Sequence, residues 1–210
     1  MKPITFALAK GRLAKSAMGV LKDLGITCSE MDEKSRKLIF TSDDGRYRFF
    51  LSKVADVPTY VEYGVADIGI VGKDIILEEG KNVYEVMDMG FGKCKMAVAG
   101  KPEKKEKYNS GSILRVATTF PSITSDFFFN KKQQNVEIIK LNGSVELGPI
   151  VGLSDVIVDI VESGATLKEN GMVIFEEICD LSARVIVNPA SMKMDYEKIN
   201  QLIENMRKQL

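Results

Sequence analysis

The sequence predicts an α/β protein of two lobes, each built on a mostly parallel sheet flanked by helices. Three observations carry this. Short apolar runs alternate with stretches of helical periodicity over most of the chain. Several helical stretches open on turns that bring hydroxyls, amides or glycine to their first residues, as in Asn142-Gly143-Ser144 and Ser163-Gly164-Ala165-Thr166. The pattern also restarts near Gly92–Lys95, where a second set of strands and helices begins.

Taken in order, Ile4–Ala9 reads as a strand that runs into the turn Lys10-Gly11-Arg12. Leu13, Ala17, Val20, Leu21 and Leu24 then recur at helical spacing, with Gly25 as the stop. Asp43-Asp44-Gly45 between 37–40 and 47–51 is a hairpin signal. Asp56 is placed to cap a short helix over 57–63, and 67–72 is a buried strand opening onto Lys73-Asp74 and another helix. In the second lobe 96–99 is a strand, and the charged 101–107 a surface connection. Strands are expected at 115–118, 136–141, 155–161 and 173–177, with helical segments at 122–131, 145–151 and from 166. A final amphipathic helix over 195–209 carries Tyr196, Ile199, Leu202, Ile203 and Met206 on one stripe, expected to pack on the first lobe. The expected lobes are therefore 1–92 with 181–210, and 93–180.

Composition narrows the function. The 29 basic and 29 acidic residues cancel, which argues against a general binder of nucleic acid or membrane surfaces. Cys28, Cys94 and Cys179 are widely spaced and odd in number, so reduced thiols are expected rather than a disulfide framework. The opening MKPITFALAKGRL has the character of neither a signal peptide nor a membrane span, and a cytoplasmic protein is expected. With no histidine in the chain, a Ser-His triad or histidine-ligated metal is excluded. Chemistry falls to carboxylates, Lys and Arg, hydroxyls, backbone amides or an oxygen-bound cation.

The stretch VDIVESGATLKENG, 158–171, is the most informative. Asp159 interrupts a strand otherwise apolar on both faces, near the C-terminal end where α/β sheets keep their ligands. The turn after it, Glu162-Ser163-Gly164-Ala165-Thr166, offers backbone N–H groups and two hydroxyls, which suit a phosphate monoester. Asp159 then suits ribose hydroxyls just beyond that phosphate, or the retention of magnesium. A bare Ser-Gly-x-Thr is more often an ordinary helix cap; the acid within the strand is what points to a ligand. Lys10-Gly11-Arg12, at the end of the first strand, brings two cations and an approachable backbone to an anion. Asp67, before its strand, reads equally well as a turn cap, and Glu146 as a helix-start charge.

LAKGRL near the start, DVPTYVEYGVADIGIVGKD at 56–74, KLNGSVELGPIVGLSD at 140–155 and VDIVESGATLKENG together resemble the ATP phosphoribosyltransferase family. The resemblance implies a two-lobed fold like the type II periplasmic binding proteins. It implies joining N1 of the adenine of ATP to C1 of phosphoribosyl pyrophosphate, with Mg2+ and release of pyrophosphate, as the first committed step of histidine biosynthesis. On it, 162–166 hold the 5-phosphate and Asp159 the ribose hydroxyls. Lys10, Arg12 and Lys53 face the pyrophosphate or ATP phosphates, and Gly11, Asp67 and Glu146 stand near ATP. The first lobe becomes the ATP and pyrophosphate side. Ala9 stands where the family often has proline, and Lys53 is followed by Val54 where many members have proline. That leaves Arg46, Arg48 and Lys53 as alternative phosphate contacts. The metal ligands stay unassigned. The length matches the short form, which works with a histidyl-tRNA-synthetase-like regulatory subunit in a hetero-oligomer. The rivals are a non-catalytic small-anion binding protein of the same fold and a phosphoribosyltransferase for another base.

Overall fold

The structure is a computed structural model that describes residues 2–31 and 37–210. The chain forms two compact units, one from the residues up to Gly92 with Ser182–Leu210 and one from Lys93–Leu181. Among the described residues no helix is long and apolar enough to cross a membrane.

The first unit begins with β1 (Ile4–Ala9), α1 (Arg12–Asp23), β2 (Ile39–Thr41) and β3 (Tyr47–Ser52). It continues through α2 (Val57–Glu62), β4 (Ile68–Gly72), α3 (Lys73–Glu79) and β5 (Tyr84–Asp88). After the second unit it resumes with β11 (Ala183–Val187), α8 (Pro189–Met194) and α9 (Tyr196–Arg207). Its sheet has the order β2-β3-β1-β4-β11-β5. β1 runs parallel to β3 and β4, so these three strands end at one edge of the sheet. β11 is antiparallel to both β4 and β5 and joins them.

Period-2 alternation explains the core: Phe6 and Leu8, Ile68 and Ile70, and Val185 and Val187 share one buried cluster. α1 presses Ala17 and Leu21 onto it, and α9 adds Ile199, Leu202, Ile203 and Met206 as its stripe predicts. Tyr196 departs from the stripe and stays exposed, because it opens the helix before the apolar face has turned inward. Gly25, at φ +75°, ends α1: its N–H donates to Lys22 O at 2.8 Å and that of Ile26 to Leu21 O at 2.9 Å.

The second unit contains β6 (Cys94–Gly100), α4 (Lys105–Asn109), β7 (Leu114–Thr118), α5 (Pro121–Ser125) and β8 (Val136–Lys140). α6 (Leu147–Ile150), β9 (Val156–Val161), α7 (Ala165–Glu169) and β10 (Val173–Leu181) complete it. The sheet order is β10-β6-β9-β7-β8, with β7 parallel to β8 and β9 and with β6 antiparallel to β9 and β10. β9 is therefore central, which is why Val156-Ile157-Val158 is apolar without alternation. The helix expected over 122–131 is shorter: α5 passes into a π-type turn at Asp126–Lys131. That wider turn accompanies two consecutive buried rings, Phe127 and Phe128, packed edge to face at 5.1 Å.

Asp155 pins the start of β9. It is 1% exposed and accepts from the Arg115 N–H at 3.0 Å, from Lys107 at 2.8 Å and from Lys104 at 3.1 Å. Burial alone raises its carboxyl, but the bonds from Lys107, Arg115 and Lys104 outweigh this and hold it at about 2. A lowered carboxyl stabilises the fold above the unfolded value near 3.8, and that contribution is lost as pH falls through about 2. Asp155→Ala is expected to cost about 2–3 kcal/mol at neutral pH, because it strands the Arg115 N–H and two ammonium groups. In urea unfolding the variant's loss of stability relative to the parent should shrink between pH 4 and pH 2; a constant difference would refute the ion cluster as its cause.

Candidate active site

A cavity of about 270 Å3 lies within the second unit, lined by the end of β9, the turn after it, β6 and Glu146. Asp159, Glu162, Ser163, Gly164, Ala165 and Thr166 all border it. Its volume falls below the ~300–1,000 Å3 of sites for drug-sized ligands.

Apolar anchors beneath the cavity set the polar groups. Val145 and Leu167 are buried with Ala99, Ala117, Ile157 and Met172, and each stands beside a polar residue of the cavity wall, Glu146 and Thr166. Burying one such leucine contributes about 1.5–3 kcal/mol. Thr118 at the end of β7 ties the same edge, its hydroxyl donating to Val158 O at 2.8 Å and accepting from the Phe120 N–H at 2.9 Å. The turn is shaped by Gly164, whose φ of +75° favours glycine. Ser163 Oγ accepts from the Ala165 N–H at 3.3 Å, and α7 starts without a side-chain cap. Since α7 has only five residues, its dipole is slight and any anion here is held by hydrogen bonds.

Asp159 is largely buried. Removal from water pushes its carboxyl up, the Ile160 N–H partly offsets this, and the nearby charge of Glu146 adds to it, leaving it at about 6. The structure thus places Glu146 in one cavity with Asp159.

In the first unit, the ends of β1, β3 and β4 bring other predicted residues together. The Lys10 N–H donates to Ser52 O at 3.0 Å, which sets Lys10 beside Lys53. Gly11, at φ +107°, turns the chain into α1, which Arg12 opens; all four residues are exposed. Lys73 and Arg184 share the edge, but Glu85 and Asp88 match their charge: Lys73 pairs with Glu85, and Arg184 reaches Glu85 at 3.2 Å and Asp88 at 3.0 Å. Exposed positive charge at this edge is thus carried by Lys10, Arg12 and Lys53. Arg48 is the second residue of β3, and Arg46 precedes that strand, its guanidinium 2.6 Å from Asp44, so Arg46 lies at the opposite end from Lys53.

Asp67 is not brought to that edge. It precedes β4, is 8% exposed, and accepts from the Thr5 N–H at 2.9 Å and the Ser191 hydroxyl at 2.7 Å. This carboxylate fastens β1 to α8, in keeping with the alternative reading of Asp67 as a turn cap. Sequence reasoning passed over Asp74, whose carboxyl burial raises and whose own and Ile75 N–H groups partly offset. A Cβ on Gly72 would sit 2.1 Å from Asp74 Oδ1, which explains the glycine. It also passed over Ala97 and Ala99 in the cavity wall, since an alanine in an apolar strand carries no signal of its own.

A family model described as HisG, ATP phosphoribosyltransferase, matches residues 53–208. The chain belongs to the ATP phosphoribosyltransferase family. Family members from Lachnoclostridium phytofermentans and Lachnospira eligens, both named ATP phosphoribosyltransferase, are 63% and 62% identical to it. The matches cover 100% and 99% of this chain and 98% and 97% of those relatives, which share its short length. Among solved structures, the ATP phosphoribosyl transferase (HisG:HisZ) complex from Thermotoga maritima aligns with a TM-score of 0.81 at 36% identity, covering 98% of both chains. The α/β fold is thus that of the family, like the periplasmic binding proteins. The family's reaction opens histidine biosynthesis and needs a divalent metal. Among the described residues no group of three or more Cys, Asp or Glu side chains is arranged to hold a metal.

Proposed function

We propose that the chain transfers the phosphoribosyl group of phosphoribosyl pyrophosphate to N1 of the adenine of ATP, with the 5-phosphoribosyl end held in the second unit's cavity. The observation that carries this reading is the largely buried Asp159 carboxylate sharing one cavity with the Glu162–Thr166 turn. The turn suits the 5-phosphate through its N–H groups and the Ser163 and Thr166 hydroxyls. Asp159 suits the ribose hydroxyls, and Glu146 is assigned to the same sugar.

In the transfer the C1–oxygen bond breaks, pyrophosphate leaves with the electron pair, and the adenine N1 lone pair forms the new C1–N1 bond. N1 carries no proton, so attack needs no strong base, in keeping with a chain that has no histidine. Lys10, Arg12 and Lys53 are assigned to the negative charge of pyrophosphate and ATP, with Gly11 letting the backbone approach. Orientation of two bound substrates supplies much of the remaining acceleration. Mg2+ takes one or two carboxylates plus phosphate oxygens and keeps several waters. Asp159 and Glu146 fit that demand, and the bound ion would neutralise the leaving group.

Because the similar Thermotoga maritima structure is titled as a HisG:HisZ complex, we extend the reading to assembly. The chain works in the cytoplasm as the catalytic part of a hetero-oligomer with a histidyl-tRNA-synthetase-like subunit, and histidine sensitivity belongs to the complex. The test mixes the purified chain with ATP, phosphoribosyl pyrophosphate, Mg2+ and pyrophosphatase, with and without that subunit from the same source. Phosphoribosyl-ATP, followed by ultraviolet absorbance and mass, is expected, with histidine inhibition only in the mixture. A folded protein giving no product in either arm would overturn the reading.

A further inference from the structure

β6 and β9 pair antiparallel, which sets Ala97 directly opposite Asp159 and Ala99 directly opposite Ile157. Directly opposed residues of an antiparallel pair point to the same face, with Cβ atoms about 4.5–5.5 Å apart. All four residues line the cavity, and both alanines are 1% exposed. On the far side of β9, Ala117 stands beside Ile157. β9 therefore presents its acid beside one neighbour cut back to a methyl group, and Ile157 two residues earlier between two more, Ala99 and Ala117. Any longer side chain at 97 projects over the carboxylate, because the sheet beneath it is closed.

We propose that Ala97 is a specificity-determining residue: its small size keeps the Asp159 carboxylate open to the sugar hydroxyls and sets the width of the ligand that stands on it. This rests on the reading of the cavity as the phosphoribosyl site. Ala99 extends the same floor toward Ile157. The pairing between β6 and β9 is made by backbone groups, which a side-chain change at 97 does not remove.

The variants are Ala97→Val, with two added heavy atoms, and Ala97→Cys, with one. Initial rates are measured against phosphoribosyl pyrophosphate and ATP separately, and thermal unfolding is followed with and without phosphoribosyl pyrophosphate. The expected result for Ala97→Val is a KM for phosphoribosyl pyrophosphate raised at least tenfold with an unchanged KM for ATP. Ala97→Cys shifts the same way by less. Ala97→Val and Ala97→Cys with the parental KM would overturn the inference alone. Should Ala97→Val fail to fold, Ala97→Cys decides by the same readouts. If phosphoribosyl pyrophosphate leaves the parent protein's melting temperature unmoved, the cavity's assignment fails first and the inference with it.

Discussion

Asp159→Asn is expected to lower kcat/KM for phosphoribosyl pyrophosphate by about 10²–10³-fold while raising the melting temperature. The kinetic loss follows from charge. Hydrogen bonds to an ionised acceptor contribute about 1.5–3 kcal/mol each, and an amide gives up the charged part for both ribose hydroxyls at once. The gain in stability follows from linkage. In the fold burial, only partly relieved by the Ile160 N–H and reinforced by Glu146, keeps the carboxyl at about 6, against an unfolded value near 3.8. A raised carboxyl favours folding below the unfolded value, and that advantage is lost as pH rises through about 6. At pH 7.5 the ionised acid therefore costs the fold on the order of 2–3 kcal/mol, which asparagine does not incur. A rise of about 4–8 °C is expected at pH 7.5, shrinking toward pH 4. Calorimetry at the two pH values beside initial-rate kinetics checks both parts. A variant that keeps its kinetics and melts lower would show that the acid serves the fold and not the substrate.

Gly69→Ala carries the largest expected loss of stability. The added Cβ would lie 2.8 Å from Val61 Cγ2, 2.9 Å from Ile186 Cγ1 and 3.0 Å from Val57 Cγ1. These atoms belong to α2 on one side and β11 on the other, and Ile186 is the register partner of Gly69. No single rotamer change relieves all three. Overpacking of a closed core costs about 1–3 kcal/mol, and three simultaneous contacts put this site at the upper end. A melting temperature lower by about 6–12 °C is expected, with KM for phosphoribosyl pyrophosphate unchanged in the protein that remains folded. A shift under 2 °C by calorimetry would mean that α2 moves aside freely.

Much of this architecture was legible because local pattern and position agreed. The first strand and helix, the Asp43–Gly45 hairpin and the apolar run of β9 each carry a signal in their own residues. β5 and β11 were not anticipated. Their place depends on one strand returning from the far side of the second unit to lie between β4 and β5, and no local periodicity encodes that partner. The Glu162–Thr166 turn and Asp159 stood out because an acid in an apolar strand is costly without a purpose. The coupling of Glu146 to Asp159 was hidden, since the two approach each other only after the Val145 anchor has folded the intervening chain over the sheet. Asp67 was open to two readings because an acid beside an Ile-Gly-Ile strand looks the same at either end. Chain direction places it at the amino end of β4, away from the edge where ligands collect.

The position of β11 also gives the chain a timetable. β5 joins its sheet only through β11, and β11 leaves the ribosome after the whole of Lys93–Leu181. At ordinary translation rates that interval is on the order of 5–20 s. Throughout it the apolar strand Ile68–Gly72 has β1 on one side and an open edge on the other, while Glu85 and Asp88 wait for Arg184. By its end the second unit has every strand of its sheet while the first is still a partial sheet. The newborn chain is therefore most prone to aggregate through its first half, and a slower ribosome over the inserted segment prolongs that exposure.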